Sequence, residues 1–260
     1  MPSDELRSAA LELVWHETDR YRVRLARDAV EVRRAQVLRF HVFNEELREG
    51  LSESWSRGYD EDAFDGPCDH LIVEQVAGGD VIGTYRVQPT RAAVDPPGLY
   101  TANEFDLSGL AEILPGAIET GRACIHRDHR NTRVLQLLWQ GLGSYMLAHR
   151  ARYLFGCCSL TSQDPELGRR VMDHLTASGH THPTIELAPQ PDWRCYDESV
   201  AAAASEAEPV ELPKLFSLYL RYGAKVLGRP ALDRHFKTID YLVLLDIDDL
   251  SPDSRELFFA

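Results

Sequence analysis

Glu119 lies in the run Ile118-Glu119-Thr120-Gly121-Arg122, two residues before a glycine. On an inner strand such a carboxylate is partly desolvated, which raises its basicity, and the glycine leaves room for a ligand beside the backbone. These are the properties of a general base. A structural ion pair with Arg122 is the alternative reading. His70, beside Asp69 at the head of an apolar run, is a second acid–base candidate because imidazole titrates near neutrality. A hydrogen-bonded core histidine is its other reading. Two charged stretches complete the set. Asp60-Glu61-Asp62 and Asp65 form an acidic loop, a solvated turn in the plainest reading. Arg127, Arg130 and Arg133, set against Asp128, give a local excess of positive charge, with a solvated helix entrance as the plain alternative.

These residues need a scaffold, and the hydrophobic pattern predicts one. Tyr21 to Leu25 alternates apolar and charged side chains, the period of a half-buried strand. Asp28 precedes Glu31 by three, a capping-box start for a helix running towards Leu47. His70–Glu74 and Val81–Val87 flank Gly78-Gly79 and read as a hairpin. A short helix follows Glu104–Ser108. Ile118–His126 is a strand, Thr132–Arg150 a helix and Arg152–Leu160 a buried strand. Asp164-Pro165 opens a helix that Gly179 closes. Residues 180–212 read as a long excursion with an acidic stretch over Asp197–Glu211. Leu215–Leu227 reads as a helix and Thr238–Ile247 as the clearest strand. The order predicts a mixed α/β protein, with a peripheral segment over 1–20, a core over 21–180 and an extension over 181–260 packing on that core.

The chain has 260 residues, enough for one large domain with a real core. With 44% hydrophobic and 27% charged residues it is neither disordered nor collagen-like. A net charge of −13 argues against a nucleic-acid partner, so an acidic partner must meet a local basic patch. Five cysteines without a C-x-x-C pair fit neither a disulfide framework nor a zinc site, so no metal is expected. An acidic N-terminus without an apolar run, and no stretch of 18 apolar residues, point to a cytoplasmic protein.

The ordered series Arg39-Phe40-His41-Val42-Phe43-Asn44-Glu45-Glu46, Asp62 with Asp65, Gly83-Thr84-Tyr85-Arg86 and Glu119-Thr120-Gly121-Arg122 resembles one branch of the GNAT superfamily. That branch takes acyl groups from acyl carrier protein, and includes the acyl-homoserine lactone synthases and the ornithine N-acyltransferases of ornithine-lipid synthesis. The similarity to the second group is closer. It extends through Cys68–Val73, Glu104–Ser108, Gly121–His126 and Phe236–Asp246.

The resemblance implies a GNAT-like fold: a central mixed, twisted sheet flanked by helices, with a C-terminal helical extension and a final strand. It implies transfer of a long-chain, 3-hydroxylated fatty acyl group to the α-amine of ornithine, giving a lyso-ornithine lipid. A lactone synthase, an N-acyltransferase for glycine, lysine or glutamine, and a carrier-protein- or lipid-binding module without turnover are the alternatives. Glu119 becomes the base for the attacking amine, with an oxyanion donor near Arg122–Cys124. Arg39, Asp62, Asp65, Arg86 and Arg122 match the polar set around the acceptor pocket, and an acidic loop suits a diamine. No separate cofactor is implied, because the donor carries its own phosphopantetheine. The window Arg130-Asn131-Thr132-Arg133 has no glycine where relatives cradle a pyrophosphate. This favours a carrier protein over acetyl-CoA and makes Arg127, Arg130 and Arg133 its expected dock. Leu215–Leu227, aromatic and basic, is either an interfacial helix on the inner membrane or a helix packed on the core.

Overall fold

The computed structural model describes residues 14–197 and 210–259. Most of the acidic stretch over Asp197–Glu211 and of the segment over 1–20 lies outside the described residues.

The strands are β1 (Val14–Glu17), β2 (Tyr21–Leu25), β3 (Asp69–Gln75), β4 (Val81–Pro89), β5 (Ala117–Ile125), β6 (Tyr153–Leu160), β7 (Lys225–Val226), β8 (Ala231–Asp233) and β9 (Thr238–Asp246). They form one sheet in the order β1-β2-β3-β4-β5-β6-β9-β7, with β8 also on β9. Neighbours pair antiparallel except β5 and β6, which run parallel. The helices are α1 (Ala29–Arg39), α2 (Ser54–Arg57), α3 (Thr132–His149), α4 (Pro165–Ala177), α5 (Lys214–Arg221) and α6 (Pro252–Phe259).

Because side chains alternate along a strand, the register assigns each residue to a face. Tyr21, Val23, Leu71, Val73, Tyr85, Leu154 and Leu245 point to one face, where Val134, Leu137, Leu138 and Leu142 of α3 and Phe258 of α6 cover them. Further along that face, Cys158, Leu160, Ile239 and Tyr241 meet Val171 and Leu175 of α4 and Phe216 and Leu220 of α5. The opposite face carries His70, Arg86, Gln88, Glu119, Phe155, Cys157 and Asp240. It is covered by α1 and, past β5, by the segments around Phe105, Leu110 and Leu187. The polar chemistry therefore lies on one face of the sheet and the largest apolar core on the other.

The local expectations meet the structure as follows. Asp28 caps α1, its carboxylate accepting from the amides of Val30 and Glu31, both at 2.9 Å. The helix then widens to π-helical hydrogen bonding over Phe40–Glu46. The hairpin turns at Gly78 and Gly79, whose φ values of 92° and 74° only glycine adopts freely. The helix expected over Leu215–Leu227 stops at Arg221, because Gly223 at φ 94° turns the chain into β7. Residues 181–260, expected to pack on the core as an extension, supply β7, β8 and β9 of the same sheet. Phe216 and Leu220 of α5 point into the core, and Leu215, Leu218 and Tyr219 pack partly against it. No helix among the described residues is long and apolar enough to cross a membrane.

Candidate active site

β5 and β6 are paired only from Ala117–Tyr153 to Glu119–Phe155, whereas β6 stays paired with β9 as far as Leu160. Beyond Glu119 the two parallel strands part. Gly156 sits where they separate: a Cβ there would lie 2.1 Å from the Thr120 carbonyl oxygen, so only glycine permits the approach. On its other edge β5 is bulged. Thr84 pairs with Cys124 and Arg86 with Gly121, so Arg122 and Ala123 together oppose Tyr85. Arg122 adopts φ 51°, an unusual conformation for a side chain of its size. Such a bulge takes an amide out of the ladder and turns it elsewhere. Gly121 adds space, since a Cβ there would meet nothing within 4 Å.

The gap opens into a cavity of about 400 Å³. One wall is polar: Glu49, Arg86, Gln88, Tyr100, Glu119 and Asp240. The other is apolar, from Leu154, Val243 and Leu245 on the sheet and Leu215, Phe216 and Tyr219 on α5. The cavity thus crosses the sheet from its polar to its apolar face.

Glu119 is on the polar wall. Its Oε1 accepts from the amide and hydroxyl of Thr101 (2.8 and 2.6 Å), and its Oε2 from the Tyr100 amide (2.9 Å). It therefore fixes the turn Tyr100–Asn103 across the cavity, and Oε2 keeps one accepting site. Burial raises its pKa, and the hydrogen bonds from Thr101 and Tyr100 only partly offset this. No ion pair joins Glu119 to Arg122 among the described residues. Arg122 turns to the acidic loop instead, 2.9 Å from Asp62 and 3.4 Å from Asp60.

The rest of the expected acceptor set forms a closed network. Arg39, 1% exposed, holds Asp65 with both terminal nitrogens (2.8 and 2.7 Å) and Asp60 through Nε (2.7 Å). Arg86 meets Asp62 at 2.5 Å and Asp65 at 3.1 Å. Burial would push Asp65 up, but the hydrogen bonds and charge of Arg39 hold its carboxyl well below the usual range. Asp62 is likewise lowered, the charges of Arg86 and Arg122 outweighing burial. Three guanidiniums thus face three carboxylates, and the loop is stitched to the sheet. The plain reading of a solvated turn gives way accordingly: Asp62 and Asp65 are paired with the arginines that the resemblance grouped with them. His70, 2% exposed, lies outside the cavity lining and bonds the Asp65 carbonyl at 3.0 Å. Burial lowers its pKa, so it is a neutral histidine that supports the same loop.

The basic stretch is split. Arg130 is bound to Glu46 (2.5 and 2.8 Å) and to the Ile125 carbonyl (3.0 Å), tying the entrance of α3 to the π-helical turn. Arg127 and Arg133 are exposed. Asn131 caps α3 by accepting from the Val134 amide at 3.0 Å.

Three cavity residues, Glu49, Cys157 and Asp240, and the buried Glu104 beside them were given no site role from the sequence. Glu49 lies just past the π-helical turn, 6% exposed, and accepts from the Thr161 hydroxyl at 2.5 Å. Burial, and secondarily Asp240, pushes its carboxyl up to about 7. Glu104, Cys157 and Asp240 bring their ligand-capable atoms within 4.8 Å of one another. Burial keeps Cys157 a thiol, and all five cysteines are free. A sequence signal existed for Asp240, a lone carboxylate in the apolar run Ile239-Asp240-Tyr241-Leu242. Glu104 gives none, because its burial depends on the fold of the loop around it.

The acetyltransferase (GNAT) domain family matches residues 38–140. The L-ornithine N(alpha)-acyltransferase of Agrobacterium fabrum is 33% identical over 238 residues, covering 88% of this chain and 81% of that protein. The L-ornithine N(alpha)-acyltransferase of Rhodobacter capsulatus is 32% identical over 248 residues, covering 92% and 94%. Among solved structures, FeeM, an N-acyl amino acid synthase from uncultured soil microbes, has a TM-score of 0.49 at 13% identity, over 89% of this chain and 93% of that one.

Proposed function

The chain belongs to the L-ornithine N(alpha)-acyltransferase family and is a GNAT-type acyltransferase, and from this premise we propose that it moves a long-chain, 3-hydroxylated fatty acyl group from acyl carrier protein to the α-amine of ornithine. The product is a lyso-ornithine lipid. One observation carries the reading: the cavity crosses the sheet where β5 and β6 part, acidic and arginine-rich on one side and apolar on the other. An aliphatic chain suits the apolar wall and an amino acid the polar wall.

In this reading the thioester carbonyl lies at the gap. The neutral amine attacks its carbon, and negative charge develops on the carbonyl oxygen. In the same reading the bulged backbone at Arg122 and Ala123 supplies the amide that donates to that oxygen, which the register shift of β5 supports. Glu119, through the free site on Oε2, accepts the amine proton directly or by a water. The C–S bond then breaks, the amide forms, and the pantetheine sulfur leaves with a proton. The arginine–aspartate network acts here by holding the wall of the acceptor site in shape. Arg127 and Arg133, exposed beside the α3 entrance, are the contacts offered to an acidic carrier protein, with Arg130 braced by Glu46. An amphiphilic product leaves for the inner face of the membrane, which makes peripheral contact there part of the same proposal.

The test is thiol release from long-chain acyl carrier protein with ornithine, glycine, lysine or glutamine present. Acceleration by ornithine supports the reading. If none of the four accelerates release, it fails.

A further inference from the structure

Around the cavity's polar wall there are more acidic side chains than the arginines answer. Asp60, Asp62 and Asp65 each meet a guanidinium. A second group of carboxylates, Glu104, Asp233 and Asp240, makes no ion pair with Lys or Arg among the described residues. Asp233 is satisfied within its own chain. Its Oδ1 accepts from the amides of His235 and Phe236 (2.7 and 2.8 Å), and its Oδ2 from the Tyr100 hydroxyl (3.2 Å).

Glu104 and Asp240 are different. Glu104 is 0% and Asp240 3% exposed, yet Glu104 Oε1 and Asp240 Oδ1 meet no donor beyond the proton that the two carboxyls share between them. Their other oxygens accept from the Cys157 thiol (3.6 Å) and the Thr238 hydroxyl (3.2 Å). The position is built. Asp240 sits in β9 with Ser159 of β6 opposite. Glu104 is anchored by its backbone, donating to the Thr101 carbonyl (3.1 Å) and accepting from the Gln190 amide (2.7 Å). Asp240, Cys157 and Tyr100 all open on the cavity, on the same wall as Glu119. Carboxyl groups with no cation in a dry site are costly to ionise and are normally answered by a partner of opposite charge.

We propose that Glu104 and Asp240 receive the side-chain ammonium of the acceptor, and thereby select a diamino acid such as ornithine over amino acids with uncharged side chains. The inference rests on the reading of the protein as an amino-acid N-acyltransferase. A primary ammonium has three N–H donors and can meet both carboxyls at once. Without it, the pair avoids carrying two negative charges by keeping one proton, held on Glu104 and shared with Asp240. Burial first, then mutual repulsion, keeps Glu104 well above the usual carboxylate range, and burial brings Asp240 to about 6. The incoming ammonium takes the place of that proton, which is released to solvent. An uncharged side chain cannot replace that proton and makes no charge-assisted bond to either carboxyl, so discrimination comes from the ion pair that only a diamino acid forms. A metal ion is the competing occupant of the same atoms. A thiol and a carboxyl both held protonated are poor ligands for one.

The test compares L-ornithine with L-norvaline, which has the same carbon chain and no side-chain ammonium, as acceptors of one acyl carrier protein thioester. Wild type should favour ornithine in kcat/KM by at least about 100-fold. In E104Q and in D240N that ratio should fall towards unity. It compares two acceptors on one protein, so a general loss of folding or turnover cancels. Ornithine, and not norvaline, should also raise the melting temperature of wild type, which needs no variant at all. Retention of the ratio in both variants would overturn the assignment while leaving the N-acyltransferase reading intact. So would stoichiometric zinc in purified wild type that is lost in D240N. A wild type that acylates neither acceptor, nor any other amino acid, overturns both.

Discussion

Glu49→Gln isolates one ionisation in the cavity wall. The Glu49 carboxyl is 6% exposed and has no cation within ion-pair distance among the described residues; burial raises its pKa from an ordinary 4.5 to about 7. The folded chain therefore binds this proton more tightly than the unfolded chain. The stability linked to it is fully present below pH 4.5, falls as pH rises from 4.5 to 7, and is absent above 7. At 1.36 kcal/mol per pKa unit, the cost of the ionised group at pH 8 is about 3 kcal/mol. Glutamine keeps the size, accepts from Thr161 through its amide oxygen, and never ionises. Thermal unfolding of wild type and E49Q from pH 4.5 to 8.5 at constant ionic strength reads the difference directly. The two proteins should melt together near pH 4.5, with the variant roughly 6–12 °C higher at pH 8, at 2–4 °C per kcal/mol for a chain of this size. The raised carboxyl of Glu119 contributes to both curves and drops out of the comparison, whereas Asp240, whose charge reaches Glu49, ionises more readily in the variant and adds to the difference with the same sign. A difference that does not vary with pH, or a variant that melts lower at pH 8, would refute the reasoning.

Glu119→Gln should lower turnover by at least 100-fold while leaving carrier-protein affinity within about twofold; parallel loss of both would remove Glu119 from proton transfer. Arg39→Met removes the shortest guanidinium contacts of buried Asp60 and Asp65 and leaves them only Arg122 at 3.4 Å and Arg86 at 3.1 Å, so denaturant unfolding should show a loss of about 3–5 kcal/mol; a loss under 1 kcal/mol would mean that the network is solvated. Reversing Arg127 and Arg133 to Glu should raise KM for the carrier protein several-fold at low salt and leave KM for the amino acid unchanged; an unchanged carrier-protein KM would place the dock elsewhere. His70→Gln should leave the pH profile of kcat unmoved, because the imidazole is neutral and lies outside the cavity lining; a lost titration limb would return His70 to the chemistry.

Local rules made much of this scaffold legible. Alternation marked β2, the paired glycines marked the β3–β4 turn, and Asp28 marked the start of α1, each through interactions within a few residues. Where the determinants are distant in sequence, the reading fell short. The continuous apolar run of Leu215–Leu227 carried the expected helix too far, although Gly223 marks the stop. β7 and β8 are too short to show a period, and exist because β9 offers them an edge. The charged site residues were visible as types but not as partners. The resemblance grouped Asp62 and Asp65 with Arg39, Arg86 and Arg122, but nothing local shows which carboxylate each guanidinium meets or that the pairs are buried. Glu104 and Asp240 lie 136 positions apart, and only the insertion of β9 beside β6 brings them together.

The central claim is acyl transfer from a carrier-protein thioester to the α-amine of ornithine. Its most direct test is tandem mass spectrometry of the product formed by the purified protein from 3-hydroxyacyl acyl carrier protein and ornithine. The account predicts an amide on the α-nitrogen, formed only when the thioester, the protein and ornithine are all present. An acyl group on the side-chain nitrogen, or no ornithine-dependent product at all, would contradict it.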